Sequence, residues 1–453
     1  MGKDKRKRKD SSSSSTSSSS DEEEVDINDL EPISIEEFMK LLNEQSSNNE
    51  ARKDPYLESL NPSKRRKLEN LEKKLMEIDE NKIPLKYKIL ESNISDTNKK
   101  NILEKINFFE SLSSHNSEYT KLSKYLRGIE KIPFGKKSRL PVRSLNTLEK
   151  KKTFINKIFN ALNENTYGQE KAKNSILEVI AKWINNPSSQ GNVIGLCGPP
   201  GIGKTSLIKN GLTKALNIPF GFIPLGGSTC SSYLQGHDYT YEGSKWGRIV
   251  EILIETQTSN PVFFFDEVDK ISETKNGDEI QALLTHITDF TQNNCFHDKY
   301  FSGLDFDLSG SLFIFSFNDK NKLNPILRDR VKIIELEGFN SDDKINIAEK
   351  YSIPKIVREV GIDKNKFKLP TSTIKKIIRE YCPEKGVRKL EKCIESILLK
   401  LNLYSMTKDF KKIGLDKELE EPYVIDEEKA CKILDLVFKR KTLDGNPPCM
   451  MYS

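Results

Sequence analysis

Between residues 153 and 340 the chain alternates short, nearly continuous apolar runs with longer stretches in which apolar residues recur at helical spacing. The runs are 193–196, 220–225, 262–265, 312–317 and 331–336, most of them bounded by Gly, Pro or Asn. A strand with one wet face alternates apolar and polar residues, whereas a strand covered on both faces reads as continuously apolar. The pattern therefore predicts an α/β unit around a parallel sheet. Beyond Asn340 the strand signals mostly stop, and helical periodicity to about Lys441 predicts a small helical domain packed on the sheet unit. Upstream, from Ile33 to about Leu148, the chain is charged with apolar residues at helix-like intervals, as in Leu68, Leu71, Leu75 and Ile78. Gly-Asn-Pro-Pro near the end predicts a loose tail. The expected organisation is a tail at 1–31, a helical region at 32–152, the α/β domain at 153–340, the helical domain at 341–441 and a tail at 442–453.

Composition narrows the partners. The 453 residues carry 73 Lys and Arg against 67 Asp and Glu, a formal net charge of +6. Such mixed polarity argues against bulk charge as a means of binding nucleic acid or membrane. No run approaches the roughly 18 apolar residues needed to span a bilayer. Residues 1–31 place six Lys or Arg in the first ten positions, then nine serines and one threonine, then seven acidic residues, so disorder is expected there. Lys5–Lys9 and Lys64–Lys67 have the composition of nuclear addresses, and a solubilising tail and a solvated helix start explain them equally well. Seven scattered cysteines without C-x-x-C spacing, and no export signal, point to a reducing, intracellular setting, cytoplasmic with nuclear entry permitted. The four histidines, His115, His237, His286 and His297, show no metal-binding spacing.

The chemistry-bearing pattern is Gly198-Pro199-Pro200-Gly201-Ile202-Gly203-Lys204-Thr205, which fits G-x-x-x-x-G-K-[ST] between an expected strand and a helix expected from Ser206 to Leu216. Glycines let backbone N–H groups turn toward phosphate oxygens, and the helix N-terminus adds partial positive charge. Lys204 can reach the β and γ phosphates, and the Thr205 hydroxyl can ligate Mg²⁺. The run 262–265 ends in Asp266 and Glu267, which places one carboxylate near that metal and a second where it can take a proton from an attacking water. ATP with Mg²⁺ is the expected ligand pair.

From about Asn165 to Leu403 the chain resembles the ATPase module of Lon-type AAA+ proteases, motif by motif and in order. Tyr167-Gly168-Gln-Glu looks like the family's opening box, followed by the phosphate loop, by Phe-Asp-Glu-Val-Asp-Lys270, and by Gly277-Asp278, Ala282-Leu-Leu, Phe296-His-Asp-Lys-Tyr300 and Phe306-Asp-Leu308. Upstream, Tyr125–Gly135 resembles the family's segment just ahead of the ATPase. The resemblance implies an AAA+ P-loop fold with a helical lid, and Tyr167 and Gly168 beside the adenine. It also implies Asn318 as a sensor orienting the water, Arg330 as an arginine finger reaching a neighbour's nucleotide, and Arg388 as a lid sensor. Arg328 lies close enough to Arg330 to leave the choice of finger open. A finger acting in trans implies a homo-oligomeric ring, of six subunits by the resemblance.

Tyr241 falls where the family carries an aromatic pore loop that grips polypeptide substrates, but Glu242 and Lys245-Trp246 depart from the family's usual residues there. In Lon proteases the lid leads into a Ser/Lys peptidase domain. Here only a short stretch follows it, so intrinsic proteolysis is not expected. Three readings remain open: an ATPase that remodels or unfolds proteins, the motor half of a protease with a separate peptidase, and a nucleotide-bound scaffold. A DNA-handling role is unsupported by any recognised DNA-binding module.

Overall fold

The computed structural model describes residues 60–80, 83–138, 147–186 and 193–440. The expected tails at 1–31 and 442–453 lie outside them. The chain divides at Lys82/Ile83 into two units. The first contributes the helix Pro62–Glu80, whose early turns carry Lys64–Lys67 and an Arg65–Glu69 pair at 2.8 Å.

In the second unit five parallel strands form the central sheet in the order β2-β3-β6-β1-β7. They are β1 (Val193–Cys197), β2 (Phe220–Pro224), β3 (Val262–Asp266), β6 (Leu312–Phe317) and β7 (Lys332–Glu335). Between β3 and β6 lies an antiparallel pair, β4 (Phe296–His297) with β5 (Asp305–Phe306). The five runs marked as strands in the sequence are these five, to within two residues at each end. Alternation along each strand sends successive side chains to opposite faces. Phe263 and Phe265 enter one core with Phe313 and Phe315, while Val262 and Phe264 enter another with Leu312 and Ile314. The register pairs Phe263 with Phe313 and Phe265 with Phe315, and both ring pairs stack, at 5.6 and 5.1 Å between centroids.

The second of these cores is closed by the helices Leu148–Asn165 and Glu170–Asn185 and the helical run 204–216. That run is widened to a π turn over Leu207–Leu212. Leu148–Asn165 is one helix across the 152/153 boundary expected from the sequence. The change in residue style there does not coincide with an element edge, because the helix already belongs to the sheet's core through Phe154, Ile158 and Leu162.

The first core extends into the N-terminal region. The helices Leu85–Glu91, Asp96–Ser111 and Ser117–Lys131 contribute Ile89, Ile102, Ile106, Leu122, Tyr125, Leu126 and Ile129 to the cluster that covers Phe263 and Phe313. Asn98 donates to the Asp305 carbonyl at 2.9 Å and accepts from the Asp305 N–H at 3.1 Å, so the helix closes onto β5 like an added strand. Residues 83–138 are thus part of the α/β body's packing, not a separate appendage.

Asp298, just after β4, is 1 % exposed. Its Oδ2 accepts the Gly247 N–H at 2.8 Å, and its Oδ1 accepts those of Tyr300 at 2.9 Å and Phe301 at 3.4 Å. Burial pushes its carboxyl up to about 7 against the opposite pull of these three donors. The sign follows from linkage: between about pH 4 and 7 the folded state holds a proton that the unfolded chain has released, so this group's contribution falls as pH rises through that window and is flat above it. Asp298→Asn should remove that slope from urea midpoints measured at pH 5 and pH 7.5. It should also destabilise the protein, by about 1–3 kcal/mol at pH 5 and by less at pH 7.5, where wild type has already lost the proton-linked contribution, because an amide NH₂ opposite Gly247 leaves that N–H unpaired.

After β7 the chain enters a helical lid at Ser341, where Asn340 and Asp343 form a reciprocal capping box. Its core is built from Ile374, Ile377, Cys393, Ile394, Ile397, Leu401 and Ile433. A two-residue parallel pair, β8 (Phe367–Lys368) with β9 (Tyr423–Val424), sits within it. Segments this short leave no periodicity to read.

Candidate nucleotide site

The phosphate loop is shaped by its neighbours. β6 and β7 flank β1, and both hold the chain past the end of β1: Gly198 N–H donates to Phe317 O at 3.2 Å and Leu336 N–H to Cys197 O at 2.7 Å. Gly201 and Gly203 adopt left-handed φ of +79° and +88°, a region open to glycine at little steric cost. A Cβ on Gly198 would stand 2.6 Å from Leu336 O. The helix then opens at Lys204, two residues ahead of the expected Ser206.

Lys204 is 9 % exposed, and its ammonium donates to three acceptors: Gly198 O at 2.6 Å, Phe317 O at 3.0 Å and Asn318 Oδ1 at 2.8 Å. Burial lowers its pKa, opposed chiefly by the charge of Asp269 and then that of Asp266. The phosphate loop and the residue that ends β6 are therefore joined through one cation.

The acidic end of β3 sits beside them. Asp266 pairs in register with Pro224 of β2 and accepts the Glu267 N–H on Oδ1 at 3.1 Å. Glu267 then turns left-handed, at φ 58°, and its Oε1 meets Lys270 Nζ at 2.5 Å. A Cβ on Gly226 would lie 2.3 Å from Glu267 Oε2, so a glycine at that position makes room for the carboxylate. One residue absent from the sequence-derived set stands out. Asp269 Oδ2 accepts the backbone N–H groups of Asn318 at 3.0 Å and Asp319 at 3.2 Å. It lies three positions after Asp266 in the same acidic run, but nothing in a linear reading says that it reaches across to β6.

The lid closes on the loop. Val387 N–H donates to Gly201 O at 3.0 Å, and a Cβ on Gly386 would stand 2.2 Å from Pro200 O. Arg388 is the first residue of the helix Arg388–Thr407, with its N and Cβ 3.3 Å from the position of a Gly201 Cβ. Tyr167 OH accepts from Asn346 Nδ2 of the lid at 3.2 Å. Next to it Gly168 is left-handed at φ +61°, and Gln169 exchanges two hydrogen bonds with the Glu337 backbone. The sequence-derived residues Lys204, Asp266, Glu267, Asn318, Tyr167 and Arg388 thus surround one seam between sheet and lid. Thr205, Ser206 and Ile202 belong to the same loop and helix start.

Two others sit elsewhere. Arg330 has its partners at the end of the helix Lys275–Thr288, donating to Thr285 O at 2.7 Å and pairing with Asp289 at 3.0 Å, and none of these is a phosphate-loop residue. Arg328 is exposed and makes no ion pair among the described residues. Tyr241 is 71 % exposed at the tip of a tight loop, where Asp238 accepts the Thr240 N–H and Ser244 bonds back to Tyr241 O. The stems of that loop are half-buried in aromatic packing. Trp246 stacks on Phe301, Tyr239 packs on Tyr125, and Lys105 lies 4.3 and 4.5 Å over the Tyr125 and Tyr239 rings. Trp246 thus packs against the body of the protein, whereas Tyr241 faces solvent. No helix among the described residues is long and apolar enough to cross a membrane.

Comparison with known proteins agrees with this geometry. Residues 194–338 match the ATPase family associated with various cellular activities (AAA), and residues 358–413 match the Lon protease AAA+ ATPase lid domain. The chain is similar to a Lon protease homolog of Acanthamoeba polyphaga mimivirus, 37% identical over 337 residues, covering 73% of this chain and 32% of that protein. It is 36% identical to the Lon protease of Clostridioides difficile over 351 residues, covering 78% of this chain and 42% of that one. With the mitochondrial Lon protease homolog of Drosophila melanogaster it shares 35% identity over 299 residues, 66% of this chain and 28% of that protein. The chain spans roughly a third to two fifths of the length of the first two of these relatives. With an AAA domain on the parallel sheet and a Lon-type lid folded against its phosphate loop, the chain belongs to the Lon-like AAA+ ATPases.

Proposed function

We propose that this protein binds ATP with Mg²⁺ between sheet and lid, hydrolyses it, and uses the cycle to remodel or unfold polypeptides as a ring-shaped homo-oligomer, hexameric by family resemblance. The observation that carries the reading is the convergence on Lys204: loop carbonyl, strand end, Asn318 and the carboxylate charges all bear on one ammonium, and the lid's Val387 is bonded to the same loop. On binding, the phosphates replace the three neutral acceptors of Lys204, and loop N–H groups turn to the anion. The residues fit a metal there, since Asp266 has only one carboxylate oxygen engaged among the described residues and Thr205 stands at the helix start beside Lys204. Bound Mg²⁺ would supply charge neutralisation for the phosphate oxygens.

Glu267 is positioned to take a proton from water, and Asn318 to orient that water. Arg388 enters the seam from above, so nucleotide occupancy and lid position are mechanically one variable. Arg330, on an outward helix end, is the residue for a neighbour's nucleotide, and Tyr241, exposed on a firmly rooted loop, is the residue for the substrate. Because the similar proteins are named Lon proteases and this chain spans under half their length, a second reading is the motor of an ATP-dependent protease acting with a separate peptidase.

The test is phosphate release by the purified protein across a dilution series. Specific activity should fall steeply below the concentration at which light scattering shows the ring to dissociate. Turnover at no concentration, with nucleotide bound, would leave the scaffold reading instead.

A further inference from the structure

The carboxylate of Asp269 belongs neither to the phosphate loop nor to the two acids that end β3, yet it is bonded to the residue that receives Lys204. β6 ends at Phe317, and past that point the N–H groups of Asn318 and Asp319 have left the strand ladder. Both point at one oxygen, Asp269 Oδ2, at 3.0 and 3.2 Å. A carboxylate acceptor makes hydrogen bonds roughly twice as strong as a neutral one. Two of them on consecutive residues fix the peptide plane from which the Asn318 side chain departs. That side chain in turn accepts from Lys204 at 2.8 Å. The chain of contacts is Asp269 to the Asn318 backbone, then Asn318 Oδ1 to Lys204. Asp269 itself is held by the turn Val268–Lys270, in which Lys270 N–H donates to Glu267 O at 2.9 Å. The acid that would take the proton and the amide that would orient the water are therefore tied together by three residues of chain and two hydrogen bonds.

We propose that Asp269 is a positioning residue: by accepting both N–H groups at the end of β6 it holds the Asn318 amide in register with Glu267, so that water orientation and proton acceptance stay aligned. The inference rests on the ATPase reading above and deepens it. The other oxygen, Oδ1, is shielded and has no hydrogen-bond partner among the described residues. Removing the side chain therefore deletes the two N–H bonds together with the carboxylate charge that acts on Lys204, so the substitutions have to separate the two.

Three variants separate position from charge. Asp269→Asn can present a carbonyl oxygen to the same two N–H groups but carries no charge. Asp269→Glu keeps the charge near Lys204 but displaces the acceptor by one methylene. Asp269→Ala has neither. Positioning predicts that kcat for ATP falls in the order wild type, Asn, Glu, Ala. The Ala variant should lose roughly 10- to 100-fold, the size of effect expected when a reacting group is misplaced by about an ångström. KM for ATP and the affinity for a non-hydrolysable ATP analogue should change less than about threefold, since the phosphate loop is untouched.

A reversed order, with Glu more active than Asn, would overturn the proposal in favour of a purely electrostatic role on Lys204. An effect confined to KM, or an Ala variant as fast as wild type, would overturn it outright. If Ala fails to fold by circular dichroism, the Asn-to-Glu order alone decides. Wild-type protein that binds nucleotide and never turns it over would sink the ATPase reading itself, an outcome distinct from any ranking of the variants.

Discussion

Glu267→Gln should bind ATP with near wild-type affinity and hydrolyse it about 10²- to 10⁴-fold more slowly, the range attributed to a positioned general base. The amide is isosteric with the carboxylate and fits the space left by Gly226, so the left-handed backbone at Glu267 and the hydrogen bond from its N–H to Asp266 should persist. What disappears is the ability to accept a proton. The variant also loses the ion pair with Lys270, but both partners of that pair are substantially exposed, at 41 % and 50 %, and exposed pairs contribute little to stability. Its thermal midpoint should therefore stay close to wild type. Single-turnover hydrolysis alongside equilibrium binding of the analogue makes the measurement. Hydrolysis at the wild-type rate would remove Glu267 from the proton-accepting role.

The second large effect is expected at Arg330. An arginine finger stabilises charge on the transferring phosphoryl group and typically contributes 10³–10⁵ in rate. In the single chain Arg330 is bonded to Asp289 and to the Thr285 carbonyl, so its guanidinium is held at a helix end and not at its own phosphate loop. Arg330→Ala should then be nearly inactive although its own nucleotide site is intact. The decisive version mixes it with Glu267→Gln. Each variant alone is inactive, but a mixed ring contains junctions at which an intact Glu267 faces an intact Arg330 from the neighbour. Random assembly at equal ratio should restore roughly a quarter of wild-type turnover. No recovery on mixing, with both variants shown to co-assemble, would exclude a trans role. Recovery by Arg328→Ala in place of Arg330→Ala, with Arg330→Ala fully active, would reassign the finger to the exposed neighbour.

The two ends of this mechanism differ in how they are encoded. The phosphate loop and the acidic strand are local: Gly198–Thr205 and Asp266–Glu267 each lie within one turn or strand end, so spacing alone exposes them. Residues such as Asn318, Arg330 and Arg388 carry no local signature, and only their order along a familiar module drew attention to them. Tyr241 shows the limit of that approach. Its loop departs from the usual residues, and its exposure, together with the aromatic rooting of its stems through Tyr239 and Trp246, becomes visible only in three dimensions.

By itself the amino-acid order determined the parallel sheet, the phosphate loop, the acid pair and the helical character of both flanks. Continuous apolarity and motif spacing are properties of neighbours along the chain. Tertiary structure alone decided that residues 83–138 complete the sheet's core, that the helix from Leu148 crosses the apparent boundary, that Val387 bonds Gly201, and that Asp269 reaches Asn318 from 49 positions away. These pairings arise where separate elements are forced together to bury their apolar faces, and polar groups trapped at the contact must then find partners across it. Such partners are distant in sequence for the same reason that they are close in space.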